Sequence, residues 1–202
     1  MKNLLDDVKF LVSESVPDRL PPSLAEVAFV GRSNVGKSTL LNALCRKDLA
    51  RVSATPGRTR LINVFLAGKD RWLVDLPGYG FALGTKAERL GWEAMVEAYL
   101  STRPSLRMVL LLVDAKVGPT RLDQEMAAWL RAHQLPWRAV ATKADQVKAS
   151  RVAIQKSEMA AALKIAPEAL SWVSADTGLG IRALGGEITT FLSDAWPERK
   201  TG

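Results

Sequence analysis

Three short stretches of this chain set charged, hydroxyl and glycine residues at the spacings that a nucleoside triphosphate demands. The first is GRSNVGKS, residues 31–38. It follows the apolar run EVAFV (26–30) and opens the helical pattern STLLNALC. A glycine-rich loop between a strand and a helix aims its backbone N–H groups at phosphate oxygens, with the positive end of the helix behind them. Gly31 and Gly36 permit backbone angles that a Cβ would oppose, and Arg32, Ser33, Asn34 and Val35 complete the cradle between them. Lys37 offers a point charge to the β- and γ-phosphates, and Ser38 offers magnesium one hydroxyl ligand. A chance glycine-rich turn would not carry this strand–loop–helix setting.

The loop does not choose a base, since ATPases, nucleotide kinases and GTPases all use one. The second stretch, TKAD (142–145), addresses the base from the end of the run WRAVAT (137–142). A carboxylate at Asp145 can accept hydrogen bonds from the N1–H and the exocyclic amine of guanine; adenine has no such donor pair, so a desolvated carboxylate rejects it. Lys143 would lay its stem along the base and brace the loop, with Ala144 between them. Thr142 stands where Asn is more common. Downstream, SAD (174–176) follows the run SWVS, so that the N–H of Ala175, between Ser174 and Asp176, would bond guanine O6. TKAD alone reads equally well as a surface turn. The order of the motifs, each at a strand end, points to guanine.

The third stretch, VDLPGYG (74–80), reads as a sensor of the last phosphate. Asp75 would hold magnesium through a water, Leu76 and Pro77 carry the chain past it, and the N–H of Gly78 would bond the γ-phosphate. Loss of that phosphate would release the loop. Ras-type enzymes place after this Gly a Gln that orients the attacking water; here the residue is Tyr79. The first switch needs a hydroxyl on magnesium, and Ser53, Thr55 and Thr59 in SATPGRTR are the candidates. Thr59 is preferred because it precedes the next strand pattern.

These motifs need a scaffold that sets strand ends side by side. Strand-like runs occur at 26–30, 61–66, 71–75, 107–113, 137–142 and 171–174. Helical spacing links them: Trp92, Met95, Val96, Tyr99 and Leu100, then Leu122, Met126, Trp129 and Leu130, then Ile181, Leu184, Ile188, Phe191 and Leu192. The alternation predicts a doubly wound α/β sheet with ligands beyond the carboxyl ends of its strands. The short AGKD link between 61–66 and 71–75 predicts an antiparallel hairpin. The expected fold is a three-layer P-loop GTPase domain of the Ras-like kind. Its sheet would be mostly parallel and six-stranded, with one antiparallel strand and helices on both faces. The domain would span 25–195, after an N-terminal arm and Pro-rich loop (1–24) and before a tail (196–202).

A chain of 202 residues fits one such domain. A single cysteine, Cys45, excludes an internal disulfide and suits a reducing compartment. The start MKNLLDDVKF is a poor signal peptide and no run is long enough to span a bilayer, so a cytoplasmic protein is expected. The net charge of +7 favours a polyanion weakly. Arg46, Lys47, Arg51, Arg58 and Arg60 crowd one segment against Asp48 alone. His133 reads as a surface residue and Cys45 as a packing residue. Trp72, Trp92, Trp129, Trp137 and Trp172 read as core or half-buried packing, while Tyr79 and Phe81 read as exposed partner contacts.

GRSNVGKSTLLNAL, TPGRTRLINVF, DLPGYGFA, TKAD and SADTGLGI, in this order, resemble the EngB group of bacterial GTPases within the Era/TrmE-like class, over roughly residues 25–195. The resemblance implies magnesium-dependent binding and hydrolysis of GTP, a role in assembling the large ribosomal subunit, and a need in cell division and septation. It implies a first switch at Gly57, Arg58, Thr59, Arg60 and Leu61, with Thr59 on magnesium. Lys37, Thr59 and Gly78 would then serve hydrolysis. Relatives turn the residue in the Gln position away from the phosphate, and several hold potassium on an Asn placed like Asn34; the alternative is a loop-stabilising Asn34 with no ion. In DAKVG (114–118) an Arg would be expected at Lys116. The implied partners are GTP or GDP and the large ribosomal subunit or its precursors, with no membrane span and a monomeric chain. The alternative function is a regulatory GTP switch for a division protein with negligible catalysis. A nucleotide kinase would need an Arg-rich lid that the insert-like KADQVKASRVAIQKSEM does not supply.

Overall fold

The structure, a computed structural model, describes residues 4–49, 61–79 and 86–193, and of residues 86–90 and 92 the backbone alone. A seven-stranded sheet runs through its middle. The strands are β1 (Lys9–Glu14), β2 (Ala25–Gly31), β3 (Ile62–Leu66), β4 (Arg71–Asp75), β5 (Leu106–Asp114), β6 (Trp137–Thr142) and β7 (Leu170–Trp172). Their order is β1-β3-β4-β2-β5-β6-β7. Only β3 opposes its neighbours, pairing antiparallel with both β1 and β4. The other pairs are parallel.

Alternation along the strands feeds two cores. Val27, Phe29, Leu110 and Leu112 point to the face covered by α1 (Lys37–Cys45) and α5 (Ile181–Phe191). Ala28, Val30, Val109 and Leu111 point to the face covered by α2 (Lys86–Thr102), α3 (Arg121–Ala132) and α4 (Val152–Leu163). With apolar layers on both sides, every residue of β2 and of β5 is buried.

The three-layer α/β arrangement is the expected one, but the sheet has seven strands instead of six. The extra strand is β1, inside the segment read as an arm. Its first three residues are exposed and the last three half-buried, so no period of two marks it. It is held by register with β3, from Lys9 opposite Leu66 to Glu14 opposite Ile62, across a bulge between Phe10 and Val12. Ser13 also donates to Asn63 Oδ1 at 2.5 Å. The expected hairpin between β3 and β4 is present, with Gly68 and Asp70 both at positive φ in its turn. The stretch read as insert-like runs into α4, which buries Met159, Ala160 and Leu163. Alanines dominate that helix, so its apolar stripe is faint in the sequence.

At the amino end of β2 a buried carboxylate ties three segments together. Glu26 accepts from Ser23 at 2.6 Å, from Ser105 at 2.9 Å and from Arg103 Nε at 2.9 Å, and the Tyr99 hydroxyl also donates to it. The guanidinium of Arg103 lies 5.1 Å over the Trp72 ring. A buried carboxylate is tolerated only when paired and hydrogen-bonded in this way. The tie fixes β2 at the end opposite the glycine-rich loop.

Candidate functional site

The three motifs meet at the carboxyl edge of the sheet. β2 runs into the loop 31–36, and α1 starts at Lys37 with Gly36 as its N-cap at φ 92°. That angle is one only glycine adopts without strain. Gly31 differs from expectation: it is extended strand, and its glycine is required by close approach. A Cβ there would lie 2.9 Å from the carbonyl oxygen of Leu112. Asn34 sits at φ 65°, a conformation that Asn tolerates better than most residues. Lys37, 8% exposed, pairs through Nζ with the carboxylate of Asp75, which is 2% exposed. The charge expected at the phosphates and the carboxylate expected at the metal therefore share one point. Leu76 continues from β4 by donating to Phe29 O at 3.1 Å, and Leu76 and Pro77 are buried beneath the loop.

The base-reading motifs are stitched to this loop. Lys143, at φ 55°, donates through Nζ to Asn34 O at 2.8 Å and to Asp114 Oδ2 at 2.7 Å. Thr142 Oγ1 lies 2.6 Å from Val35 O and 3.3 Å from Val113 O. The residue in the place of the commoner Asn therefore ties the strand tip to the cradle. Ala144 N–H donates to Val173 O at 3.0 Å, and Ser174 Oγ donates to Asp145 Oδ1 at 2.5 Å. Ser174 Oγ in turn accepts from Thr177 N–H at 3.1 Å. Gly36, Lys143, Asp145, Gln146, Ala175 and Asp176 line a cleft of about 120 Å³. Asp145 is itself exposed, so its carboxylate is reachable from the cleft.

Asp114 is a site residue that the motif reading passed over. Its Oδ1 accepts from the N–H groups of Lys116 at 2.9 Å and Val117 at 3.2 Å, while Oδ2 holds Lys143. Burial acts to raise its carboxyl; the Lys143 ammonium and the two amides outweigh burial and hold it below the usual carboxylate value. The available signal was its position: an acid ending a strand of uninterrupted burial, in register with Thr142. Lys116, where an Arg was expected, contributes its N–H to this carboxylate.

Tyr79 is not exposed, contrary to expectation. It is 5% exposed, packs in the core under α2 and α3, and donates its hydroxyl to Asp123 Oδ1 at 2.7 Å. Burial, then the charge of Asp123 and the hydrogen bond to it, push its phenol above the ordinary value against the pull of Arg32. Leu61 is exposed at the entry to β3. Ser53, Thr55, Gly57, Arg58, Thr59, Arg60, Arg51 and Phe81 lie outside the described residues, as does the side chain of Trp92. Cys45 is buried, and burial pushes its thiol up to about 12, which suits packing rather than reactivity. His133 is exposed and stacks on Trp129 at 4.0 Å. Trp72 is buried; Trp129, Trp137 and Trp172 are half-buried.

Among the described residues there is no group of three or more His, Cys, Asp or Glu able to hold a metal. The oxygen donors present, the Ser38 hydroxyl and the Asp75 carboxylate, fit a hard cation that takes most of its ligands from water and substrate phosphates. No helix of the described residues is long and apolar enough to cross a membrane.

Residues 26–143 match the family model described as 50S ribosome-binding GTPase. The chain is 43% identical over 193 residues to a probable GTP-binding protein EngB of Thermotoga maritima, covering 95% of this chain and 99% of that protein. It is 47% identical over 191 residues to the protein of the same name in Geobacter metallireducens, covering 94% of each. Among solved structures, a probable GTP-binding protein EngB superposes with a TM-score of 0.70 at 26% identity, covering 83% of this chain and 98% of that one. Era in complex with MgGDPNP and nucleotides 1506–1542 of 16S ribosomal RNA superposes with a TM-score of 0.64 at 26% identity, covering 88% of this chain and 59% of that one.

The Asp114 brace gives a pH signature. A carboxyl held below its unfolded value contributes stability above that value and loses it as pH falls through the lowered one. The stability gap between the wild-type chain and Asp114→Asn, measured by urea unfolding, should be constant from neutral pH down to about 4. Below that it should shrink. A gap unchanged under acid conditions would mean that the carboxylate charge is not what holds Lys143.

Proposed function

Because the chain belongs to the EngB family of GTP-binding proteins, and is thus a GTPase, we propose that it is a slow, nucleotide-switched factor in assembly of the large ribosomal subunit. The observation that carries the nucleotide part is the single edge on which the phosphate loop, Asp75–Gly78, Lys143–Asp145 and Ser174–Asp176 converge. In this reading the amides of 31–36 and Lys37 take the phosphates. Asp145 takes the guanine N1–H and amine, and Ala175 N–H takes O6. Lys37 exchanges its partner Asp75 for the phosphates when the nucleotide binds. Magnesium would be held by Ser38 and Thr59 directly and by Asp75 through water, and it would supply charge neutralisation between the β- and γ-phosphates. The residue after Gly78 turns into the core, so no side chain there orients a water. That favours slow turnover, and it is also what would favour the alternative of a switch for a cell-division protein with negligible catalysis.

The ribosomal part is supported by the description of the matching family and by the RNA that Era carries in its solved structure. It is also supported by charge: +7 overall, with exposed Arg46 and Lys47 at the end of α1, beside the segment holding Arg51, Arg58 and Arg60. Cations beside a switch would grip RNA phosphates in a nucleotide-dependent way. Asn34 would add a potassium site at the phosphate loop.

Three measurements test these readings. Asp145→Asn places an amide where the carboxylate was, so it accepts from N1–H and donates to a carbonyl at C2. GTP affinity should fall about 100-fold or more while xanthosine triphosphate gains; an unaltered preference for GTP would remove Asp145 from the base site. GTP turnover should run faster in KCl than in NaCl, and equal rates would remove potassium. Protein loaded with a non-hydrolysable GTP analogue should co-sediment with large-subunit particles better than GDP-loaded protein, and the binding should weaken steeply with salt. Equal co-sedimentation of the two forms would reject a nucleotide-coupled ribosomal role.

A further inference from the structure

We propose that Tyr79 is a positioning residue for the GTPase reaction: through Asp123 and Arg32 it fixes the N–H of Gly78 against the phosphate loop before any phosphate arrives. The inference rests on the nucleotide reading of the site and is independent of the ribosomal partner.

The geometry starts from the backbone. Beyond β4 the chain runs beside the phosphate loop as a short parallel pairing of Arg32 with Tyr79. Tyr79 N–H donates to Gly31 O and Ser33 N–H donates to Tyr79 O, both at 3.1 Å. Gly78 lies so close to the loop that a Cβ on it would be 3.0 Å from Ser33 N. The first residues of the second switch are therefore joined to the cradle.

One carboxylate keeps them there. Asp123, wholly buried in the first turn of α3, receives the Tyr79 hydroxyl on Oδ1 at 2.7 Å. Its Oδ2 accepts from both the N–H and the hydroxyl of Thr120 at 2.7 Å. Arg32 Nε, buried and without a hydrogen bond among the described residues, forms an ion pair with the same oxygen at 3.4 Å. Arg32 belongs to the phosphate loop, Tyr79 to the switch and Thr120 to the start of α3, so a single buried charge collects all three. The capping box of α3 uses Thr120 and Asp123 Oδ2 and makes no use of the Tyr79 hydroxyl on Oδ1. A phenylalanine would fill the space of the Tyr79 ring equally well but could not donate to Asp123.

The consequence is a division of labour within the switch. The Gly78 amide stays in reach of the last phosphate in both nucleotide states, and reorganisation on hydrolysis begins beyond Tyr79. A Gln at this position would orient water itself; Tyr79 instead pre-sets a backbone donor, which lowers the reorganisation needed at the transition state.

Tyr79→Phe removes the hydroxyl and keeps the ring. GDP affinity, read with a fluorescent analogue, should be unchanged. The preference for a non-hydrolysable GTP analogue over GDP should fall about fivefold or more, and kcat at saturating GTP about tenfold. Combining it with Asp123→Asn should add little further loss in kcat, because both break one tie. Unchanged preference and turnover would overturn the proposal. So would equal losses for GDP and the GTP analogue together with a lower melting temperature, which would make the hydroxyl structural only. A wild-type chain that bound no guanine nucleotide would defeat the nucleotide reading itself, a separate result. Amide exchange on the wild-type protein tests the same claim without a variant. The Tyr79 N–H should be protected with GDP as well as with the GTP analogue, and free exchange in the GDP form would overturn it.

Discussion

The tie between Lys143 and the far side of the phosphate loop is the contact on which the rest of the site depends. The loop after β2 and the loop after β6 leave the sheet on separate strands with β5 between them, and nothing in a parallel sheet alone fixes their separation. Lys143 spans the gap by donating to Asn34 O and to Asp114. Thr142 repeats the span through Val35 O. A hydrogen bond from a charged group contributes roughly 1.5–3 kcal/mol and a neutral one roughly 0.5–1.5 kcal/mol, so the Lys143 and Thr142 contacts together hold the two loops at one distance. With it, a phosphate cradle and a base-reading carboxylate become one binding surface.

Charge placement follows from that geometry. Lys37 and Asp75 are both nearly buried and face each other, so each neutralises a group that would be costly alone. At the opposite end of β2, Glu26 and Arg103 do the same without any exposure to a ligand. The second pair holds β2 and the first joins α1 to β4, but only the first opens onto the edge where the motifs converge. A buried ion pair by itself therefore does not mark the site; position at the carboxyl edge of the strands does.

Much of this was legible in the sequence because the constraints are local. Uninterrupted apolar strand runs, the glycine at φ 92° and the strand–loop–helix order all lie within a few residues of one another. What escaped was set by distant partners. β1 is defined by pairing with residues about fifty positions away and carries no burial pattern of its own. The acceptor of the Tyr79 hydroxyl is 44 residues downstream, so a tyrosine in a glycine-rich loop looked exposed. Asp114 braces Lys143 across 29 residues, and its place at the end of an apolar run hints at a role without naming that partner. α4 was hidden for another reason: alanine contributes too little hydrophobic contrast to mark a face.

The Tyr79 anchorage also bears on why a hydrolase would dispense with a water-orienting amide. A Gln side chain contributes only when it is ordered over the phosphate, and ordering a long side chain in a mobile loop costs conformational entropy at each turnover. Here the ring is packed in the core and its hydroxyl is held by a wholly buried carboxylate, so that entropy is already lost on folding. What remains to be supplied at the phosphate is then the water itself, which the side chain at this position, turned into the core, does not reach. Under that proposal the chain gives up a side chain that orders water and keeps a backbone donor already in place, so the barrier is lowered by preorganisation of the Gly78 amide.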